Sequence, residues 1–182
     1  GHAVEVRLYA EDPRANFLPQ TGKILRWQLP ELDGIRVDAG IREGQEVSPF
    51  YDPMMAKIIA FDDTRSAACR KLAMALEDMQ LIGIENNKHF LSRVMRHPEF
   101  LDGKATTGFI GEYFHSDASM LPLTPTATDL AIATLIFYAR TGEVSRWRVE
   151  NSVPETLVLQ QGETRQTLTA ERLARGVLRI AA

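Results

Sequence analysis

The sequence predicts an α+β protein in which a β-rich first part is followed by helices and then by a smaller unit of one helix and several strands. Between residues 4 and 61, short segments alternate apolar and polar residues, which is the period of strands with one buried face. From residue 64 the apolar residues recur at helical spacing instead. A stretch rich in Pro, Ser and Thr at residues 116–126 is predicted to be a linker to the second part.

The strands of the first part are predicted between turns that contain glycine or proline. At residues 4–9 the apolar side chains share one face of the strand, and Arg7 lies on the opposite, polar face with Glu5 and Tyr9. Residues 10–13 interrupt this strand. The further strands that the pattern predicts are 23–29, 35–38, 46–47 and 55–61.

Helices are predicted by their caps and by the spacing of their apolar residues. Residues 63–64, Asp and Thr, are good N-caps for a helix that ends near Met79. Asn86 or Asn87 can cap a second helix, which stops at His97 because the proline that follows restricts this residue to extended backbone. A third, short helix is predicted at residues 107–114.

The second part begins with a strongly apolar helix over residues 130–138, which starts at Thr126 or Thr128. Alternation returns after it and predicts strands at 147–149, 157–159 and 177–180. These strands predict a β unit that is incomplete at residue 182.

The composition is that of a soluble globular protein and excludes several classes of partner. Of the 182 residues 45% are hydrophobic and 25% are charged, and the net charge of −3 does not favour nucleic acid. No apolar run reaches the roughly 20 residues that a membrane span needs. The single cysteine, Cys69, cannot form an internal disulfide, and the first residues do not resemble a signal peptide. We therefore expect a cytosolic protein, or a mature protein of the mitochondrial matrix.

Generic catalytic motifs do not identify a reaction. The sequence has no glycine-rich phosphate loop, its four histidines are scattered, and no serine lies in a nucleophile elbow. Two local features are suggestive. Arg7 lies on a rigid strand and can hold an anion, although it can equally point to water or pair with Glu5. Asp52 lies in a turn at residues 50–54, where an aspartate often only bonds its own backbone.

Several segments, in the same order along the chain, resemble the C-terminal lobe of biotin carboxylases. The resemblance covers roughly residues 1–115. The segments that carry it are GHAVEVR at 1–7, AEDP at 10–13, FLP at 17–19, GKI at 22–24, GIR at 34–36 with Asp38, YDPM at 51–54 with Lys57, GIENN at 83–87, HPEF at 97–100 and the pair Thr106-Thr107.

The resemblance implies a fold, a reaction and three functional residues. Biotin carboxylases have the ATP-grasp fold, and their C-terminal lobe is an antiparallel sheet with flanking helices. They use ATP, Mg²⁺ and bicarbonate to carboxylate biotin, which a separate carrier domain presents on a lysine. Arg7 matches the arginine that stabilises the biotin enolate, and Asp52 matches an aspartate that we expect to lie near Arg7 and to orient it. Arg36 matches an arginine of the family's homodimer interface.

Other parts of the family's active site have no counterpart in this sequence. The glycine-rich loop, the lysines that bind ATP, the glutamates that bind magnesium and the catalytic glutamate belong to the N-terminal and ATP-grasp domains of the family. We therefore expect the chain alone to bind no cofactor and to be inactive, and to need those domains as partners.

Residues 127–182 resemble the start of the linking domain of acyl-CoA carboxylase α subunits of the propionyl-, methylcrotonyl- or geranyl-CoA type. This domain is a helix with a β-barrel, partial here, that joins the carboxylase to the biotin carrier domain and contacts the carboxyltransferase β subunit. An alternative function remains open, in which the chain is a non-catalytic scaffold that docks a partner subunit through the helix at 127–140.

Overall fold

The first part of the chain is organised around one three-stranded antiparallel sheet. The structure is a computed structural model, and it describes residues 1–122, 124–140, 154–161, 164–173 and 177–181. The chain divides into two units, Gly1–Pro122 and Leu123–Ala182. The strands of the first unit are β1 (His2–Tyr9), β2 (Glu11–Asp12), β3 (Leu18–Pro19), β4 (Gly22–Lys23), β5 (Arg26–Gln28), β6 (Ile35–Ala39), β7 (Glu46–Val47), β8 (Met54–Asp62) and β9 (Gln80–Ile82). Its helices are α1 (Arg65–Asp78), α2 (Lys88–Arg96), α3 (Pro98–Leu101) and α4 (Phe109–Tyr113), with 3-10 turns at Pro13–Ala15 and Ala118–Met120.

The main sheet has the strand order β1-β8-β6, and both pairs of neighbouring strands are antiparallel. The register places Val6 of β1 and Val37 of β6 on either side of Ile58 of β8. Because side chains alternate between the two faces of a strand, these apolar residues share one face, and α1 packs over it against β1 and β8. The predicted strands at 4–9, 35–38, 46–47 and 55–61 are confirmed.

Helix α1 begins and ends where the sequence predicts. The hydroxyl of Thr64 accepts a hydrogen bond from the backbone N–H of Ala67 at 3.2 Å, which satisfies one of the free donors of the first turn. The helix ends at Asp78, with Met79 as its C-cap. Its inner face carries Leu72 and Leu76, both completely buried.

The predicted strand at 23–29 is two short strands in the structure. Strand β4 pairs with β7, and β5 pairs with β9. The change of partner occurs between them, since the N–H of Ile24 donates to Gln45 and the N–H of Leu25 donates to Ile82. A continuous strand would keep one partner, so the interruption reflects contacts with segments distant in sequence.

The segment between β9 and α2 turns sharply at Gly83, which adopts φ +109°. A Cβ at this position would lie 2.7 Å from the backbone nitrogen of Leu25, so the turn requires glycine. The first turn of α2 is closed by Asn86, whose Oδ1 accepts from the N–H of Lys88 at 3.1 Å. Of the two asparagines that the sequence offers as caps, Asn86 makes the capping hydrogen bond to the helix. The side chain of Asn87 forms hydrogen bonds with the backbone of β1 instead.

Residues 116–122, which the sequence assigns to a linker, lie within the first unit. Asp117 accepts hydrogen bonds from Arg93 of α2 at 2.6 Å and from the hydroxyl of Ser119 at 2.7 Å. The hydrogen bond from Arg93 is the main reason that the pKa of Asp117 lies well below its usual range. This ion pair fastens the segment to α2.

The second unit contains α5 (Ala127–Arg140) and the strands β10 (Glu155–Gln161), β11 (Thr164–Leu173) and β12 (Val177–Ala181). The three strands form an antiparallel sheet in the order β10-β11-β12. The helix predicted at 130–138 and the strands predicted at 157–159 and 177–180 are therefore confirmed. The strand predicted at 147–149 lies outside the described residues. None of the helices in the described ranges combines the length and apolarity that a membrane span requires.

Replacing Leu72 by Ala should lower the free energy of unfolding of the first unit by about 2–5 kcal/mol, because a fully buried side chain leaves a cavity. The matched control is Met74→Ala on the same helix, where the side chain is 48% exposed and the change should stay within about 0.5 kcal/mol. Urea unfolding would be followed by the fluorescence of Trp27 in a Trp147→Phe background. Equal losses for both variants would contradict the described packing of α1.

Candidate active site

Arg7 lies on the face of β1 that points away from the buried core. Its Nε is 3.8 Å from Oε1 of Glu5, two residues earlier on the same face, and its side chain is 59% exposed. On the neighbouring strand, Lys57 is the register partner of Arg7, and its Nζ lies 3.9 Å from the same oxygen of Glu5. The carboxylate of Glu5 therefore lies between two cations.

The other side of this face is formed by β6. Arg36 makes a bidentate pair with Asp38, with distances of 3.0 Å from Nε to Oδ1 and 2.8 Å from Nη2 to Oδ2. The hydrogen bond from Arg36 lowers the pKa of Asp38, and the nearby charge of Lys57 acts in the same direction. We call the residues Glu5, Arg7, Arg36, Asp38 and Lys57 the charged sheet face.

Asp52 lies in the exposed turn that leads into β8. Its Oδ1 accepts a hydrogen bond from the backbone N–H of Met54 at 2.7 Å, which is the local turn bond that the sequence offered as an alternative. The carbonyl of Pro53 accepts from the N–H of Ala10 at 2.9 Å. These bonds hold the turn against the chain directly after β1.

The expected contact between Asp52 and Arg7 is not formed in this structure. The carboxylate that lies within 4 Å of Arg7 is that of Glu5, and among the described ion pairs none joins Arg7 to Asp52. Asp52 acts instead on Glu11, whose pKa is raised mainly by burial and further by the charge of Asp52. The turn thus contacts the chain after the end of β1, beyond Arg7. The carboxylate of Asp52 is already bonded to the backbone of the turn itself.

Asn87 is a residue of this region that the sequence analysis assigned only to helix capping. It is buried, and its Oδ1 accepts from the N–H of Tyr9 at 2.9 Å. Its Nδ2 donates to the carbonyl of Arg7 at 3.3 Å, and its backbone N–H donates to the carbonyl of Tyr9 at 3.2 Å. The signal in the sequence was the pair of adjacent asparagines, because one cap needs only one of them.

The charged sheet face offers groups that could hold an anion, whereas the described residues offer no set of metal ligands. Arg7 and Lys57 present exposed cationic groups, which can bind an anion through charge-assisted hydrogen bonds. Within the described part of the chain, no group of His, Cys, Asp or Glu side chains could hold a metal ion, so we assign no magnesium ligand to it. Cys69 is buried, which raises the pKa of its thiol and argues against a nucleophilic role.

Comparison with known proteins identifies the family to which this fold belongs. The family described as the biotin carboxylase C-terminal domain matches residues 5–112. The chain belongs to this family, which confirms the resemblance seen in the sequence.

Relatives and solved structures agree with this assignment. The methylcrotonoyl-CoA carboxylase subunit alpha of Dictyostelium discoideum is 44% identical over 135 residues, which are 73% of this chain and 19% of that protein. The propionyl-CoA carboxylase alpha chain of Ruegeria pomeroyi is 36% identical over 169 residues, or 82% of this chain and 25% of that protein. The biotin carboxylase domain dimer of the 2-oxoglutarate carboxylase from Hydrogenobacter thermophilus, solved with MgADP, ADP and bicarbonate, matches with a TM-score of 0.62 and 32% identity over 67% of this chain and 26% of that one. The chain thus spans about a quarter or less of each.

Replacing Asp52 by Asn should lower the pKa of Glu11 towards its usual value, because the variant removes a nearby negative charge. The amide oxygen can still accept the N–H of Met54, so the turn should keep its shape. Burial is the larger cause, so the pKa should remain above its usual value. An NMR titration of the Glu11 carboxyl carbon would measure the change, with Asp63→Asn as the control. An unchanged pKa in the Asp52 variant would contradict the described proximity.

Proposed function

We propose that this chain is the C-terminal lobe of the biotin carboxylase component of an acyl-CoA carboxylase α subunit, an ATP-dependent ligase, and that Arg7 stabilises the negative charge that develops on the ureido oxygen of biotin. The observation that carries the proposal is the placement of Arg7, a permanent cation fixed on a sheet strand and directed away from the core. In the complete enzyme, ATP-activated bicarbonate would supply the carboxyl group and biotin on its carrier domain would accept it.

The geometry of Arg7 supports binding of an anion. Its distance of 3.8 Å to Glu5 is longer than a hydrogen bond, so the guanidinium N–H groups remain available to an incoming oxygen. Such a bond is strongest where water is excluded and the donor is already in place. The strand supplies the placement, and the exclusion of water requires the N-terminal and ATP-grasp domains, which we propose as the partners of this lobe.

Two further roles belong to the same proposal. Arg36, with a side chain 76% exposed, would lie at a homodimer interface, consistent with the solved domain dimer of a relative. Asp52 would support Arg7 indirectly, by holding the turn that contacts the end of β1. This support would act through the backbone, since none of the described ion pairs joins the two side chains.

For the second unit we propose the beginning of the linking domain, a helix with a partial β-barrel that leads to the biotin carrier domain and contacts the carboxyltransferase β subunit. The alignment with the propionyl-CoA carboxylase alpha chain supports this proposal. It covers 82% of this chain, whereas residues 1–115 make up less than two thirds of the chain, so the alignment must extend into the second unit. The exposed apolar side chains of α5, Ile132, Leu135 and Ile136, favour the related alternative that this helix docks a partner subunit without any catalytic role.

Replacing Arg7 by Ala in a full-length carboxylase that contains this lobe should lower kcat for biotin carboxylation by about 100-fold or more, since one donor to a developing oxyanion is lost. The KM for ATP should change little, because the proposed contact is with biotin. Arg7→Lys should recover only part of the rate, since Lys keeps the charge without the planar fork.

The matched control for Arg7 is Arg70→Ala, which removes an exposed arginine of α1 that bonds Ser66 within its own helix. Its kcat should equal that of the unmodified enzyme. A kcat unaffected by Arg7→Ala would refute the role proposed for this residue.

Isothermal titration of the 182-residue chain with MgATP should give no heat of binding, whereas a full-length subunit should bind. The physical reason is that the described residues provide no cluster of ligands for the metal, and the sequence has no phosphate-binding loop. Clear binding by the chain alone would mean that the nucleotide site has been misplaced.

A further inference from the structure

Asn87 joins α2 to the strand that carries Arg7 through three hydrogen bonds. Its side-chain amide bridges the carbonyl of Arg7 and the N–H of Tyr9, and its own N–H reaches the carbonyl of Tyr9. The residue is only 4% exposed, so water competes little for these bonds. The link spans about 80 residues of sequence, and it therefore ties a distant helix start to the candidate active site.

The need for this link follows from the position of β1 in the main sheet. β1 is an edge strand of the order β1-β8-β6, so the N–H and C=O groups on its outer side have no strand partner in this sheet. A primary amide offers an acceptor and a donor side by side, as a peptide group does. The side chain of Asn87 thus continues the hydrogen bonding of the sheet at its outer edge, between Arg7 and Tyr9.

On the edge of β1 that faces β8, the strand pairing becomes irregular near the residues that Asn87 contacts. The register runs evenly from His2 to Leu8 and then shifts between Leu8 and Tyr9, which pairs with Met54. A bulge weakens the ladder where it occurs and bends the strand. Asn87 therefore holds the backbone at Tyr9, two residues after Arg7, where the regular pairing with β8 ends.

We propose that Asn87 is a positioning residue for Arg7. By fixing the carbonyl of Arg7 and both backbone groups of Tyr9, it sets the direction in which β1 presents the guanidinium group. This inference rests on the proposed function of Arg7 in biotin carboxylation. It adds a residue that does not touch substrate and that acts only through the strand.

A double-mutant cycle in a full-length carboxylase that contains this lobe tests the proposal. Asn87→Ala should lower kcat about 10- to 100-fold, the range expected when a reacting group is displaced by about 1 Å, with the KM for ATP unchanged. In an Arg7→Ala background the same change should cause no further loss of kcat, because Asn87 acts through Arg7. A residue with only a structural role would lower kcat by the same factor in both backgrounds, and that result would overturn the inference.

The matched control is Asn86→Ala, at the adjacent residue. The side chain of Asn86 also makes two hydrogen bonds, to Lys88 and Ile84, but neither reaches β1. Its kcat should match that of the unmodified enzyme once the folded fraction of each variant has been measured by thermal unfolding. A loss of kcat equal to that of Asn87→Ala would also overturn the proposal, since both would then act through the stability of the turn.

Asn87→Asp keeps the size of the side chain and the acceptor for Tyr9, and it removes only the donor to the carbonyl of Arg7. At neutral pH we expect a folded enzyme with a reduced kcat, because a carboxylate then faces a carbonyl oxygen. As the pH falls, the protonated carboxyl can donate again, and kcat relative to the unmodified enzyme should rise. A ratio that stays at one over the whole pH range would contradict the inference.

The two proposals fail in different ways. If Arg7→Ala leaves kcat unchanged, the proposed function of Arg7 is wrong, whatever Asn87 does. If Arg7→Ala lowers kcat but Asn87→Ala and Asn87→Asp do not, the proposed function stands and the positioning role of Asn87 is wrong.

Discussion

The antiparallel pairing of β1 with β8 is the interaction on which the rest of the first unit depends. It brings two segments about 50 residues apart into register, so that their apolar side chains share one face and their charged side chains share the other. The apolar face creates the surface on which α1 packs. The opposite face carries the charged side chains, and a shift of β1 by one residue would turn Arg7 towards the core and expose Val6.

This pairing also explains why the end of β1 is supported from several directions. The register shifts after Leu8, and from there the chain is held by the turn at Pro53 on one side and by Asn87 on the other. A strand that presents a functional side chain near its last regular residue needs such support, because fraying would move the side chain by more than a catalytic geometry tolerates. The two supports come from segments far apart in sequence, which makes the position of Arg7 a property of the whole lobe.

The sequence predicted what depends on local pattern and missed what depends on distant partners. The strand that carries Arg7 and the cap at Thr64 follow from alternation and from a residue type, and both were confirmed. The interruption of the strand at residues 23–29 could not be predicted, because it arises from a change of partner between β7 and β9. The same holds for Asn87, whose second role requires the position of β1. The contact expected between Arg7 and Asp52 is not formed for a related reason. The resemblance identifies both residues, but Glu5 is the carboxylate within 4 Å of Arg7, and Asp52 bonds the N–H of Met54 instead.

The charged sheet face has a composition that suits a surface covered by other domains. Its three cations and two carboxylates lie close together, and they leave one net positive charge. A solitary cation would be costly to cover, whereas paired charges lose less hydration energy when a neighbouring surface excludes water. An anionic substrate that reaches Arg7 would then supply the missing negative charge and complete the balance. The ion pairs of Glu5 with Lys57 and of Arg36 with Asp38 can therefore be understood as local conditions that would leave Arg7 available in the site proposed for it.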